Sequence, residues 1–443
     1  MPIVLPTYVE NIMEILEKNN YQAFLVGGSI RDLLLGTMPH DFDIATNAKP
    51  HEILDVFKDY KTLQVGMAFG TIVIVQKEGL VELTTYRIEE KYLDGRRPSR
   101  VAFSNELFED LKRRDFTINA LAYNKSFGII DPFNGRKDLK NKVIKTVGEP
   151  KERFKEDHLR ILRGVRLASQ LGFTIDENTY YSCKSMGPFL KKISVERIRE
   201  EFFKIILSQR SSYGMELLKN LNLIEIIIPE LVDTINFNQY NPHHDKDVFY
   251  HSLCVMENSP PILEIRLAAL LHDIGKPKAF TLDEEGIGHF YGHDKISVEI
   301  SKIALTRLKC SNKLINDVSI LVGEHMTAYG NYTEKGLKRL INRVGKDNIF
   351  KLIELQKSDK ICSAGDRNID FLIEREKAIK KILDSEEPYK KNQLAINGHD
   401  IITLGFSQGK IIGEILEYLL ELVMDYPELN NKENLLNIIK REF

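Results

Sequence analysis

Asp41-Phe42-Asp43 sets two carboxylates at i and i+2, nine residues beyond the run Gly27-Gly28-Ser29-Ile30-Arg31-Asp32. On a strand that spacing points both at one face. Mg²⁺ is a hard cation that takes oxygen ligands and fills its shell with water and substrate phosphates. The pair therefore reads as a catalytic Mg²⁺ site that aligns a nucleoside triphosphate with an attacking hydroxyl. Residues 21–26 read as a buried strand leading into it. Gly27-Gly28 allows a tight turn, Ser29 caps the next helix, and the helix start offers free N–H groups to phosphate oxygens. Arg31, one turn in, reaches the same anion. Gly36 ends the helix, and the chain returns as the strand that bears the carboxylates.

A second constellation lies in EDHLRILRGVRLASQLG, where Asp157, Arg160, Arg163 and Arg166 recur every three residues. On one helix the arginines fall about 300°, 240° and 180° from Asp157. Ile161, Leu162, Val165 and Ala168 fill the opposite, apolar arc. Asp only accepts hydrogen bonds and Arg only donates. Cytosine and adenine each offer an amine beside a ring-nitrogen acceptor, which Asp157 and Arg160 can satisfy. Guanine and uracil offer a carbonyl beside a ring N–H and leave both charges unpaired, at a cost of about 1–3 kcal/mol or more each. The expectation is that CTP and ATP are accepted and GTP and UTP refused, with no nucleic-acid template. Arg163 and Arg166 are left for base stacking, ribose or triphosphate.

The chain of 443 residues suggests about three domains. At 43% hydrophobic and 28% charged it reads as globular. No apolar run approaches a bilayer span, and the first residues show no secretory pattern, so a cytoplasmic protein without membrane contact is expected. Cys183, Cys254, Cys310 and Cys362 are far apart and form no CxxC pair, and read as reduced, mostly buried thiols. The net charge of −2 argues against a generally basic nucleic-acid binder. Residues 136–210, however, hold 18 Lys and Arg against 10 Asp and Glu, which suits a restricted polyanion site.

Residues 1–20 read as an amphipathic helix, and the pattern to about residue 146 is mixed α and β. Residues 70–76 and 80–87 read as strands joined by a Lys77-Glu78-Gly79 turn. Residues 88–110, charged and holding Gly95 and Pro98, read as a long loop. After Val147-Gly-Glu-Pro150 the period is helical, with breaks near Gly172, Pro188, Pro229, Pro242 and Pro260-Pro261.

LVGGSIRDLLLG with HDFDIAT, RRDFTINALAYN at 113–124, EDHLRILRGVRLASQLGF and VERIREEFFKII from 195 occur in that order. The chain closely resembles the class II tRNA nucleotidyltransferase and poly(A) polymerase family, and within it the CCA-adding enzymes. The resemblance implies an α+β, polymerase-β-like nucleotidyltransferase head over residues 1–146. It implies a helical neck and body for nucleotide selection and RNA binding over 147–239, then helices to the end. Asp41 and Asp43 match the family's metal ligands, Gly28 and Arg31 its triphosphate contacts, and Arg114, Asp157, Arg160, Arg163 and Arg166 its nucleotide-binding positions. Glu82, on the adjacent predicted strand, is a candidate third acid. The segment TYRIEEKYLDGRRPSRVAF, residues 85–103, is intact, which favours full CCA addition over addition of cytidines alone. The implied partners are tRNA, CTP and ATP, with no obligate protein partner evident. A poly(A) polymerase of the same family is the nearest alternative.

HDIGKP, HFYGHD, EHM and SDK resemble the HD phosphohydrolase superfamily over residues 240–365. By its pattern His251, His272, Asp273 and Asp359 match the core ligands, with His293 and His325 as further ligands or phosphate contacts. Mixed imidazole and carboxylate ligation favours a transition metal over Ca²⁺. Such a site can activate water against a phosphomonoester or cyclic phosphate. An HD phosphohydrolase with an RNA-binding front half is a third reading. Residues 366–443 read as a helical, charged tail to which no chemistry is assigned.

Overall fold

The computed structural model describes residues 3–92, 98–240, 246–330, 332–385 and 387–443. The chain divides into two compact units, Met1–Pro229 and Glu230–Phe443.

The first unit opens with the amphipathic helix Thr7–Lys18, which buries Val9, Ile12, Met13 and Leu16. Strands β1 (Ala23–Val26), β2 (Phe42–Thr46), β3 (Thr62–Gly66), β4 (Thr71–Val75), β5 (Leu80–Thr85), β8 (Ala122–Asn124) and β9 (Gly128–Ile130) form one sheet in the order β3-β4-β5-β2-β1-β8-β9. β4 and β5 make the expected hairpin, with alternate residues Ile72, Ile74, Val81 and Leu83 buried against the first helix and the helix Pro50–Val56. β2 runs parallel to β5, and this pairing fixes the register Asp43↔Glu82.

Over 88–110, read as a loop, the described residues instead hold regular elements. β6 (Arg87–Tyr92) and β7 (Pro98–Phe103) pair antiparallel as a separate two-stranded ribbon, and the helix Leu107–Lys112 follows. Charged residues hid the alternation that marks a strand, because both faces of a two-stranded ribbon can be polar. Gly95 lies outside the described residues, as does Pro242. The other breaks fall at a left-handed Gly172 (φ 67°), at 3-10 turns over Gly187–Lys192 and Pro229–Thr234, and just before the helix Leu263–Leu271.

Among the described residues the second unit has helices and one short hairpin, Thr281–Leu282 with Gly288–His289. Helices Val248–Asn258, Leu263–Leu271, Asn312–Glu324 and Ile349–Cys362 pack together, and the last helices form their own core around Ile415, Leu419, Val423, Leu435 and Ile439. Two of the cysteines are not reduced thiols: Cys254 and Cys362 form a disulfide, while Cys183 and Cys310 are free. Linear spacing could not reveal a pair that closes a loop of 108 residues. No helix among the described residues is long and apolar enough to cross a membrane.

Candidate functional site

β1 ends at Val26, and Gly27 turns the chain at φ 71° into the helix Gly27–Leu34. A Cβ at Gly27 would lie 3.0 Å from Arg114 Nη1 and 3.2 Å from Asp43 Oδ2, so both side chains close on bare backbone. Ser29 is not the helix cap. It sits inside the first turn, where its hydroxyl donates to the Asp41 carbonyl at 3.1 Å and accepts the Asp43 N–H at 3.0 Å. The helix start is thereby strapped to the acidic strand. Asp41 is exposed, Asp43 is half-buried, and Glu82 is exposed directly across the register. Burial pushes the Asp43 carboxyl up to about 6; Arg114 and Arg31 pull against this, and Glu82 and Asp41 add to it. Asp43, with the Asp41 and Glu82 carboxylates beside it, forms a donor set that a divalent cation fits.

Arg114 is anchored through Nη2 to the fully buried Asp110 at 3.0 Å, while its buried Nε has no hydrogen bond. Arg31 Nη1 donates to Asn119 Oδ1 at 2.8 Å, and Asn119 Nδ2 donates to Asp115 Oδ1 at 3.1 Å. Asp115 Oδ2 then accepts Arg163 Nε at 2.8 Å. This chain of bonds links the Gly-Gly turn, the RRDFTINA segment and the arginine helix. Burial alone would raise the Asp115 carboxyl, but Arg163, Asn119 and Arg160 hold it well below the usual carboxylate range.

Asp157 is not on the arginine helix. It ends the helix Pro150–Glu156 with extended backbone (φ −146°, ψ 108°), and the next helix runs Arg160–Leu171. Its Oδ1 accepts the Leu159 N–H at 3.0 Å, a local bond that draws Asp out of helix interiors. Its Oδ2 takes Arg197 Nη2 at 2.7 Å rather than Arg160. Arg160 is buried and held by Glu156 and by the carbonyls of Arg153 and Arg113 at 3.2 and 3.1 Å. Arg166 pairs with the buried Glu201 at 3.3 Å. The apolar arc, Ile161, Leu162, Val165 and Ala168, is buried as the spacing predicts.

In the second unit six candidates converge. His272 and Asp273 follow the helix Leu263–Leu271, His293 starts a helix, His325 follows another, and His251 and Asp359 lie on facing helices. His251 Nε2 lies 3.0 Å from Asp359 Oδ1 and 3.7 Å from Asp273 Oδ2. His293 and His325 Nε2 lie 3.3 and 3.7 Å from Asp273 Oδ1. The Nδ1 atoms of His272, His293 and His325 sit 2.8, 2.8 and 2.6 Å from the carbonyls of Ala269, Phe290 and Val322. Donation there leaves each Nε2 as a lone-pair donor aimed at the centre, an arrangement common to metal-ligating imidazoles. Buried His272 Nε2 has no hydrogen bond, although Asp273 and Asp359 oxygens lie 3.3 and 3.8 Å away. Two ligand groups share Asp273, one with His251 and His272 and the other with His293 and His325. These donors fit a divalent metal. They open into a cleft of about 670 Å³ that Lys276, Phe290, Tyr291, Lys360 and Ser363 help to line.

Residues 23–145 match the Poly A polymerase head domain, residues 172–234 the "Probable RNA and SrmB- binding site of polymerase A", and residues 248–361 the HD domain. A CCA-adding enzyme of Staphylococcus haemolyticus is 36% identical over 97% of this chain and 96% of its own length. One of Streptococcus agalactiae is 34% identical over 97% and 95%. This chain belongs to the CCA-adding enzyme family. Its fold agrees with that of the Bacillus stearothermophilus CCA-adding enzyme in complex with CTP, at 27% identity, with 99% and 98% of the two chains covered and a TM-score of 0.75.

CCA-adding enzymes are nucleotidyltransferases, and this chain carries groups that can hold divalent metal. Within it the structure brings Asp41, Asp43, Glu82, Gly28, Arg31 and Arg114 to one end of the sheet. Sequence spacing missed Asp115, Asn119, Arg197 and Glu201, which hold the arginines and Asp157 in place. Arg197 and Glu201 stand at i,i+4 on the helix Val195–Ile206, a spacing that shows a shared face but not its partners.

Proposed function

We infer that this chain adds C, C and A to the 3′ end of tRNA from CTP and ATP, without a nucleic-acid template, and releases pyrophosphate. The observation that carries the reading is the strap of Ser29 between the helix start and the segment Asp41–Asp43, where a bend enters β2. It sets phosphate-facing N–H groups beside carboxylates that would hold Mg²⁺, with Glu82 as a third acid. When bound, Mg²⁺ acidifies the tRNA 3′ hydroxyl and stabilises charge on the leaving pyrophosphate. Gly28 leaves room for the triphosphate, and Arg31 and Arg114 neutralise it. Asp157 accepts the exocyclic amine of cytosine or adenine, and Arg160 donates to the ring nitrogen after exchanging Glu156 for the base. Arg163 and Arg166 shape the same pocket. The basic stretch within residues 136–210 holds the acceptor stem by charge and shape. A panel of labelled nucleotides on tRNA lacking its 3′ end tests the reading. Incorporation of CTP and then ATP that stops after three additions supports it. Long A-tracts on many RNAs would instead indicate a poly(A) polymerase.

The convergence of His251, His272, Asp273, His293, His325 and Asp359 favours a second reading, a metal-dependent phosphohydrolase centre. Mixed imidazole and carboxylate donors suit a transition metal such as Ni²⁺ or Mn²⁺. Hydrolysis of a phosphomonoester or cyclic phosphate that persists in an Asp41→Ala, Asp43→Ala variant and disappears in His272→Ala supports it; no hydrolysis with any divalent metal rejects it.

A further inference from the structure

Two of the metal-binding candidates are each followed, one helical turn on, by a cysteine. The helix Val248–Asn258 carries His251 and Cys254, and the helix Ile349–Cys362 carries Asp359 and Cys362. Residues at i and i+3 share a helix face. The contact of His251 with Asp359 and the bond of Cys254 to Cys362 are thus successive rungs between the same two helices. Asn258 adds a third rung: its Nδ2 lies 3.7 Å from Cys254 Sγ and 3.5 Å from Cys362 Sγ, and its carbonyl accepts from Ser358 Oγ at 3.3 Å. The Cα atoms of the two cysteines are 5.8 Å apart. Ser363 and Ala364, the next two residues, line the metal cleft. The bond ties residues 108 apart in sequence, so it restrains the two helices that must hold His251 and Asp359 at coordinating distance.

We propose that Cys254 and Cys362 are a reversible thiol–disulfide clasp that sets the metal affinity of the His251–Asp359 centre. The proposal rests on the metal-centre reading above. The co-reactant is a low-molecular-weight disulfide. Cys254 is the more exposed residue of the two, half-buried, and Cys362 is buried. The Cys254 thiolate attacks one sulfur of the small disulfide and expels one thiolate. The Cys362 thiolate then attacks the Cys254 sulfur of the mixed disulfide and expels the second. The two protein thiols lose two electrons and two protons, and the small disulfide takes them up as two thiols. Excess small thiol runs the exchange backwards. Cys183 stays outside it, because burial raises its thiol far above the ordinary range.

The test uses the full chain, treated with oxidised glutathione or with a thiol reductant and then freed of reagent. Titration under denaturing conditions should find two thiols after oxidation and four after reduction. Calorimetric titration with Ni²⁺, which prefers imidazole sites, should give about tenfold tighter binding to the oxidised chain. The comparisons are the reduced chain and a Cys254→Ser, Cys362→Ser variant, with His272→Ala assigning the heat to this centre. Labelled CTP incorporation should be equal in the oxidised and reduced forms. Four thiols after oxidation, or equal Ni²⁺ affinity in both forms, overturns the clasp and leaves the metal centre standing. No Ni²⁺ binding in either form overturns the metal centre and the clasp together. Should the double variant fail to fold, the reduced wild-type chain supplies the same comparison.

Discussion

Arg197 donates through Nη2 to Asp157 Oδ2 at 2.7 Å, across 40 residues of chain. This bond holds the carboxylate assigned to the base edge in an extended stretch between two helices. Arg197 Nη1 is buried without a hydrogen bond, so the guanidinium is committed to this one partner from that side. Arg197→Met should leave Asp157 free to rotate. We expect kcat/KM for CTP and ATP to fall by about 10- to 100-fold, the worth of one charge-assisted hydrogen bond. Steady-state kinetics with all four nucleotides checks it; an unchanged preference for C and A would refute a positioning role.

Asp43→Asn should reduce nucleotide transfer by about 10³-fold or more, because a neutral amide is a poor ligand for Mg²⁺. It should not destabilise the chain. Burial already disfavours the charged carboxylate, so its removal should hold or raise the unfolding temperature. Differential scanning calorimetry beside a primer-extension assay separates the two effects.

The same carboxyl predicts a pH dependence. Asp43 is pushed up to about 6, so protons compete with metal below that pH. Mg²⁺ affinity should fall by about tenfold for each pH unit below about 6, and binding there should release a proton. Calorimetry in two buffers of different ionisation enthalpy measures the proton count. A flat affinity from pH 5 to 7 would contradict the assignment.

Asp115 should behave in the opposite sense. Its carboxyl is held below the ordinary 3.8, so it binds its proton at lower pH than the unfolded chain does. The stability it contributes is complete above that ordinary value and is lost as pH falls below it. At neutral pH, Asp115→Asn leaves Arg163 without its buried anion and should cost about 3 kcal/mol. Urea unfolding at pH 7 and pH 3 should show the gap between wild type and variant narrowing at the lower pH.

Ni²⁺ at about 100 times its dissociation constant should stabilise the second unit by about 2.7 kcal/mol, and His272→Ala should abolish the gain. Thermal unfolding with and without chelator reads it directly.

Local spacing made the main motifs legible. The β4–β5 hairpin and the apolar arc of the Arg160–Leu171 helix follow from periods of two and 3.6 residues, and the Gly27 turn from glycine's freedom at positive φ, whereas Asp41 lies in a bend just before β2 and only Asp43 is on the strand. The pairing of β6 with β7 is not legible in the sequence, because charged residues interrupt the apolar alternation that marks a strand. A serine at a helix start reads as a cap, yet Ser29 spends its hydroxyl on the Asp41 carbonyl and the Asp43 N–H. Treating Asp157 and Arg160 as neighbours assumed a continuous helix, and Asp157 in fact marks the break between two.

The sequence by itself determined which residue types stand on which face of each element, and with them the acidic strand, the arginine face and the family. The tertiary structure alone decided that Arg197 holds Asp157, that Asp115 joins Arg31 to Arg163 through Asn119, and that Cys254 bonds Cys362 one turn from His251 and Asp359. The reason is that neighbours along the chain are fixed by backbone geometry, whereas partners across a long loop are chosen by how helices pack. Loop closure costs only slightly more for each doubling of length, so spacing leaves many distant residues equally eligible.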